Sequence, residues 1–271
     1  MQEFGGVWTK NKLDVVERYL EAYTTLMKNQ NFNLCYIDAF SGSGELKIKT
    51  GEELDGSAVR ALRYPFDKYI FFEIDSGNFK TLQNLIHASS KKNTVESYNN
   101  DCNEFLIEID KINWGKDNWR GVIFIDPYSM ELPWECLEKI SNTQTFDVWY
   151  LFPLYALSRN LYNNKQIPLS NKIKISKLLG TNSWEAELYR KSDQMTLFED
   201  EMDFQKIAID GVTQYIVKRL EDTFPTVSRN AAVLKNSKNA PMFLLCFAGS
   251  NPNYKAKAIS LRIANHILEH I

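Results

Sequence analysis

The chain has 271 residues, of which 44% are hydrophobic, 13% aromatic and 24% charged, values that exclude a disordered tail or a peptide-sized scaffold and allow a sizeable core without staples. Its length fits one large domain or one domain with an insertion. Lys+Arg 32 against Asp+Glu 34 gives a formal net charge of -2, so the protein does not coat nucleic acid through overall positive charge, and a polyanion has to be met by a local patch.

Leu13, Val16, Tyr19, Leu20, Tyr23, Leu26 and Met27 recur at helical spacing and predict an amphipathic helix over 12–27. The short apolar block at 34–39, LCYIDA, runs into the glycine-bearing FSGSG and reads as a buried strand entering a tight turn. Further strands are predicted at 69–74, 94–98, 121–126 and 146–152, separated by helices over 78–88, 103–111 and 134–140. That alternation predicts an α/β fold with a doubly wound parallel sheet, whose ligands bind beyond the carboxyl ends of the strands. Past Pro153 the alternation stops, and helical periodicity at 173–179 and 204–220 predicts an inserted cap. The segments 229–235 and 241–249 flank the polar turn NSKN as a hairpin that completes the sheet, and a last helix covers 255–270. The expected division is a cofactor-binding core at 1–159, a helical cap at 160–227, and a hairpin with its helix at 228–271.

The four cysteines, at 35, 102, 136 and 246, are too widely spaced for a CxxC metal pair and are expected to be reduced and buried. His87, His266 and His270 have no carboxylate at metal spacing, so no metal site is expected. No run approaches the roughly 18 apolar residues of a membrane helix, and MQEFGGVWTKNKLD lacks the build of a signal peptide. The expectation is a cytoplasmic protein without a membrane partner.

Chemistry concentrates at the predicted strand ends. Gly42 and Gly44 in DAFSGSG let a ligand lie against bare backbone, although a tight strand exit needs glycine for structure alone. Glu73, about thirty residues on, is placed to accept both hydroxyls of a ribose. Asp101 in NNDCN follows the third strand, positioned for the amino group of an adenine ring. These features suit dehydrogenases as well, but FSGSG lacks the third glycine of G-x-G-x-x-G, and the fourth strand ends in Asp126-Pro127-Tyr128. An acid accepting one N–H of an exocyclic base amine, a proline carbonyl accepting the other and an aromatic ring stacking on the flipped base would use those three residues together.

The series DAFSGSG, FFEID, NNDCN and IDPY resembles the class I S-adenosylmethionine-dependent methyltransferases, in the order used by adenine-amine methyltransferases. With VWTKNKLDVVERYLEAY, FIDPYSMELPW, DVWYLFP and FLLCFAGSNP, most of the chain resembles the three-Cys-motif partner protein family, TcmP, and the likeness weakens in the insertion. The resemblance implies a Rossmann-like class I methyltransferase sheet, mostly parallel with a C-terminal antiparallel hairpin, and S-adenosylmethionine as cofactor. It implies that Asp38, Phe40, Gly42 and Gly44 cradle the methionine moiety, Glu73 the ribose and Asp101 the adenine. By the same resemblance the segment Trp8 to Lys12 would help close the pocket, with Lys12 meeting the cofactor carboxylate or standing solvated on a helix's first turn. It further implies a radical-SAM-like partner carrying three clustered cysteines and a setting in phage defence. Asp126-Pro127-Tyr128-Ser129 departs from the usual pattern in having one proline where adenine-amine enzymes commonly have two.

On the substrate side, Arg159, Lys165, Lys172, Lys174 and Lys177 form a basic stretch with no intervening acid, able to contact phosphates or to serve as a solvated helix face. Arg159 is the one placed to reach the cleft. An acidic stretch over 185–203 follows. The expected function is a methyltransferase acting on an amine of a nucleic-acid base or nucleotide. The alternative is a non-catalytic methyltransferase-like binding subunit that serves the cysteine-cluster partner.

Overall fold

The computed structural model describes residues 3–4, 7–48, 53–162, 165–191 and 204–271. Its central sheet contains the parallel strands β1 (Asn33–Asp38), β2 (Lys68–Phe72), β3 (Val95–Tyr98), β4 (Trp119–Ile125) and β5 (Phe146–Phe152). The hairpin strands β6 (Ala232–Lys235) and β7 (Pro241–Gly249) join it antiparallel. Across the sheet the order is β3-β2-β1-β4-β5-β7, and the outer side of β7 pairs with both β6 and the two-residue strand Thr226–Val227. The protein is therefore the expected Rossmann-like α/β fold, mostly parallel and closed by an antiparallel hairpin.

The inner parallel strands β1, β2, β4 and β5 are largely continuous apolar runs because both faces of the sheet are covered there, whereas the edge strand β3, VESY, alternates partly buried and exposed residues. Alternate residues serve opposite faces: Leu34 and Tyr36 of β1 join one core cluster, Cys35 and Ile37 the other. The Leu34 side is covered by α1 (Val7–Met27), α2 (Ser57–Ala61), α3 (Ser76–Ala88) and α10 (Tyr254–Leu268), through residues such as Tyr19, Ala58, Leu82 and Ile267. The other side takes α4 (Cys102–Glu108), α5 (Trp134–Asn142), α6 (Leu154–Asn160), α7 (Leu169–Leu179), α8 (Trp184–Glu187) and α9 (Ile209–Thr223). Leu106, Trp134, Leu157, Ile175, Trp184 and Ile216 from these helices share one cluster. All four cysteines are free and buried.

Helix ends follow local chemistry. Asp75 and Asp101 cap α3 and α4 by accepting from the N–H groups of Asn78 and Asn103, at 2.8 and 2.9 Å. Gly180 ends α7 in the left-handed conformation (φ +65), where an added Cβ would lie 2.7 Å from Trp134.

Three features differ from the expectations. The first helix begins at Val7, five residues earlier than its apolar stripe indicates. The stretch read as the start of a helix at 204 is a strand, Phe204–Lys206, paired antiparallel with Tyr189–Lys191, and α9 begins only at Ile209. Extended backbone there lets the Ile207 N–H reach the Leu188 carbonyl at 2.9 Å while its side chain packs on the core. A small sheet of Glu3–Phe4, Glu45–Ile48 and Glu53–Asp55 was not anticipated. Among the described residues no helix is long and apolar enough to cross a membrane.

Candidate functional site

Four neighbouring strands deliver acids to one edge of the sheet. Asp38 closes β1, Asp126 follows β4 on one side of it, and Glu73 and Asp101 follow β2 and β3 on the other. Parallel pairing sets this alignment: β1 is in register with both β2 and β4, with Asp38 opposite Phe71 and Phe124.

Asp38 is fully buried. Its Oδ1 accepts from the Phe40 N–H at 3.3 Å and its Oδ2 from the Tyr36 hydroxyl at 3.4 Å, while the Ser41 hydroxyl donates to its backbone carbonyl at 3.1 Å. Burial pushes the Asp38 carboxyl up to about 7 and the nearby Asp126 adds to the rise, against hydrogen bonds from Ser57, Phe40 and Tyr36.

The turn that follows uses its two glycines differently. Both are left-handed, Gly42 at φ +61 and Gly44 at φ +79. A Cβ at Gly44 would stand 2.9 Å from Leu85 Cδ1 and 3.1 Å from Val59 Cγ2, and the Gly44 carbonyl accepts from the Gly56 N–H at 2.7 Å. Gly44 is bare so that α3 and α2 can pack. At Gly42 nothing lies within 4 Å of the Cβ position, so its backbone is bare toward open space. Phe40, between them and Asp38, is partly buried against the core.

Glu73 bridges this turn and the β2 exit. Its carboxylate accepts from the Asp75 N–H at 2.7 Å and from the N–H of Gly42, and burial raises it above the usual carboxylate range. Ile74 follows at 70% exposure, held by Asn99, whose amide donates to the Glu73 and Ile74 carbonyls at 2.8 and 3.1 Å. Asp101 spends Oδ1 on its helix cap, leaving the second oxygen able to accept.

Beyond β4, Asp126 is ion-paired through Oδ2 with Lys12 Nζ of α1, their side chains 18% and 7% exposed. The residue expected at a cofactor carboxylate and the one expected at a substrate amine thus meet each other. Pro127 is buried and Tyr128 is 76% exposed. The Tyr128 N–H donates to Glu131, whose carboxyl burial raises. Thr9 of the same helix start is fully buried, whereas the Trp8 side chain lies outside the described residues.

Arg60 anchors α1 over the site. Its guanidinium bonds Asp14 and Glu17 of α1, each at 2.7 Å, and its Nε donates to the Asp55 carbonyl at 3.0 Å. The helix carrying Lys12 is thereby fastened to the helix that starts with Ser57.

The basic stretch divides. Lys172 pairs with Glu185 at 2.9 Å and Lys165 Nζ lies 5.8 Å from the Tyr189 ring centroid. Arg159, Lys174 and Lys177 are exposed. Arg159 lies over the Tyr155 ring one helical turn earlier, 5.5 Å from its centroid. Of the acidic stretch, Asp193, Glu199, Asp200, Glu201 and Asp203 lie outside the described residues.

Tyr36, Ser57, Ile74, Asn99 and Glu131 were not singled out from sequence. Ile74 and Asn99 adjoin motif residues, which is a usable signal; Ser57 and Tyr36 carry none. Among the described residues no group of three or more His, Cys, Asp and Glu is arranged to hold a metal ion.

No family model matches the chain, and no curated protein matches it. Solved structures resemble it at low identity. A Legionella pneumophila protein of the DUF519 family is 13% identical, with 94% of this chain and 91% of that one covered and a TM-score of 0.46. A candidate S-adenosylmethionine-dependent methyltransferase from Listeria monocytogenes is 12% identical, with 87% and 98% covered and a TM-score of 0.41. Spermidine synthase from Thermotoga maritima is 13% identical, with 88% and 60% covered and a TM-score of 0.42. The fold assignment rests on the strand order and register described above.

Proposed function

We propose that this protein is an S-adenosylmethionine-dependent methyltransferase of the three-Cys-motif partner type, acting on an exocyclic amine of a nucleic-acid base or nucleotide. The observation that carries the reading is the row Asp101, Glu73, Asp38 and Asp126 along four adjacent strand ends, with Gly42 open on the same edge. These residues fit the cofactor by their chemistry. Glu73 is an acceptor for ribose hydroxyls, Asp38 a carboxylate for the amino-acid ammonium, Ile74 an apolar face for a purine, and Asp101 an acceptor for its amino group.

Bound S-adenosylmethionine supplies an electrophilic methyl group on a sulfonium. Asp126 accepts one N–H of the substrate amine and the Pro127 carbonyl the other, so that the nitrogen lone pair points along the transfer line. Tyr128 stacks on the base. Lys12 holds Asp126 in place, and because an ammonium has three donors it keeps that pair while donating to the cofactor carboxylate. Positioning and hydrogen bonding supply most of the acceleration in such a transfer.

Isothermal titration with S-adenosylmethionine and, separately, NAD tests the reading. Saturable binding of S-adenosylmethionine alone is expected, weakened by Glu73→Ala about tenfold, as for the loss of a charge-assisted hydrogen bond. Asp126→Ala is expected to keep cofactor affinity and to lose labelled methyl transfer to total nucleic acid supplied with the partner. Binding of NAD alone, or an unaltered Glu73→Ala dissociation constant, overturns the cofactor assignment.

A further inference from the structure

Ile125 of β4 pairs with Tyr150 of β5, so the segments leaving these strands, Asp126–Tyr128 and Pro153–Tyr155, emerge side by side at the sheet's carboxyl edge. Each carries an exposed tyrosine: Tyr128 is 76% and Tyr155 43% accessible. The Tyr155 ring does not stand alone, because the Arg159 guanidinium lies over it at 5.5 Å. A guanidinium on a tyrosine presents a flat π surface together with outward N–H donors.

Charge on the Tyr155 side of this rim has one sign, whereas Tyr128 lies between Asp126 and Glu131 in the chain. From Pro153 to Trp184 the chain has no Asp or Glu. Arg159, Lys174 and Lys177 are exposed there and make no ion pair among the described residues. Tyr162, 39% accessible, follows Arg159 on the same segment. Exposed rings interleaved with unpaired cations suit a ligand that alternates π faces with negative charges, which is the repeat of an unpaired nucleic-acid strand.

We propose that Tyr128, Tyr155 and Arg159 form a binding rim for single-stranded nucleic acid, with one base on Tyr128 and its neighbour on the Tyr155–Arg159 pair. The proposal rests on the reading that Asp126 faces a base amine, and it narrows the substrate from a base or nucleotide to a strand. A duplex keeps its bases stacked on one another and presents no free faces to these rings. A free nucleotide has no second base for Tyr155. Arg159 bonds the phosphate that links the two nucleotides.

Fluorescence anisotropy with a labelled oligodeoxyadenylate of about 12 nucleotides, within the usual span of such grooves, tests this on the full chain. A duplex of equal length, a deoxyadenosine mononucleotide and polyglutamate serve as competitors. The strand is expected to bind more tightly than all three. Tyr155→Ala should weaken it about tenfold while Tyr155→Trp retains it. Arg159→Ala should lower the slope of log affinity on log salt by about 0.7, one phosphate contact on a single strand. Both side chains are exposed, so the variants are expected to fold.

Unchanged affinity in Tyr155→Ala, equal or better binding of the duplex, or polyglutamate competing as well as the strand each overturns the rim. Titration of S-adenosylmethionine into the same preparations separates the two readings. Cofactor binding without strand binding leaves the methyltransferase reading standing and removes this one, and the converse result does the opposite.

Discussion

Lys12 and Asp126, 114 residues apart in the chain, are joined by an ion pair with both side chains largely buried. The contact fixes the start of α1 against the exit of β4, at an acid that also acts on the buried Asp38. Removing one member of a buried pair leaves the other uncompensated. Lys12→Met is therefore expected to destabilise the protein by about 3 kcal/mol, read from the urea midpoint, and the double change Lys12→Met with Asp126→Leu should recover most of the loss. An unmoved midpoint in the single variant would show that the pair contributes nothing to the fold.

Asp38 makes stability depend on pH. Its carboxyl stands at about 7 in the folded chain, against about 3.9 unfolded, because burial favours the neutral form. Its stabilising effect is complete below about pH 3.9 and is lost as the pH rises through about 7. The groups that act on it are Asp126, Tyr36 and Ser57, and Asp126 is in turn paired with Lys12. Asp147, raised to about 6 by burial, acts with the same sign over a lower window. Melting temperature should thus fall between about pH 4 and pH 7 and level off above, and Asp38→Asn should flatten the upper part of that fall. Parallel curves for the two proteins would remove Asp38 as the source.

The same carboxyl should give the proposed cofactor binding a pH dependence. A ligand ammonium favours ionised Asp38, so affinity for S-adenosylmethionine should tighten as the pH rises to about 7 and level off above it, with proton release on binding. Calorimetry in two buffers of different ionisation heat reads the protons. A pH-independent affinity rules out contact between the ammonium and Asp38.

Gly42 and Gly44 should separate binding from folding. Both have positive φ, so alanine at either costs about 1 kcal/mol of backbone strain. At Gly44 the methyl also meets Leu85, Val59 and Leu82 at 2.9 to 3.2 Å, and Gly44→Ala is expected to lower the melting temperature much further than Gly42→Ala. At Gly42 the methyl enters open space, and the main effect should be weaker cofactor binding. Equal melting losses with unchanged affinity in Gly42→Ala would remove Gly42 from the pocket.

Arg60 should matter to the site without touching it. Only about a tenth of its side chain is exposed, and it holds Asp14 and Glu17. Arg60→Gln is expected to destabilise the protein by about 2 kcal/mol, as for a lost charge-assisted network, and to raise hydrogen exchange at the start of α1 more than in β1. Uniform exchange changes would contradict a local anchoring role.

Much of the sheet was legible because the inner parallel strands are covered on both faces and are therefore continuous apolar runs, as in YIFF before Glu73 and GVIFI before Asp126. Acids directly after such runs stand out in the chain and stand together in space. The small sheet was illegible for the converse reason: Glu45–Ile48 and Glu53–Asp55 are short and rich in charge. Phe204, Ile207 and Ile209 are spaced ambiguously, and the pairing of Phe204–Lys206 with Tyr189–Lys191 decides for strand. At the site, spacing indicated Asp38, Glu73, Asp101 and Asp126 as neighbours. The union of Lys12 with Asp126 is a tertiary contact that no local pattern encodes, and the Arg60 clamp is another.

The placement of β7 has a consequence for how the chain is made. Residues 241–249 lie inside the sheet, between β5 and the strands on its outer side. Until they leave the ribosome, the row of peptide groups along Phe146–Phe152 has no partner, and Tyr150, Leu151 and Phe152 sit beside an uncovered flank. Synthesis at about 5–20 residues per second leaves that flank exposed for several seconds after β5 itself has emerged. During that interval an open hydrophobic edge is a template for pairing with other chains, so the nascent protein is a natural client for chaperones that bind extended apolar segments, and a chain ending before β7 should aggregate.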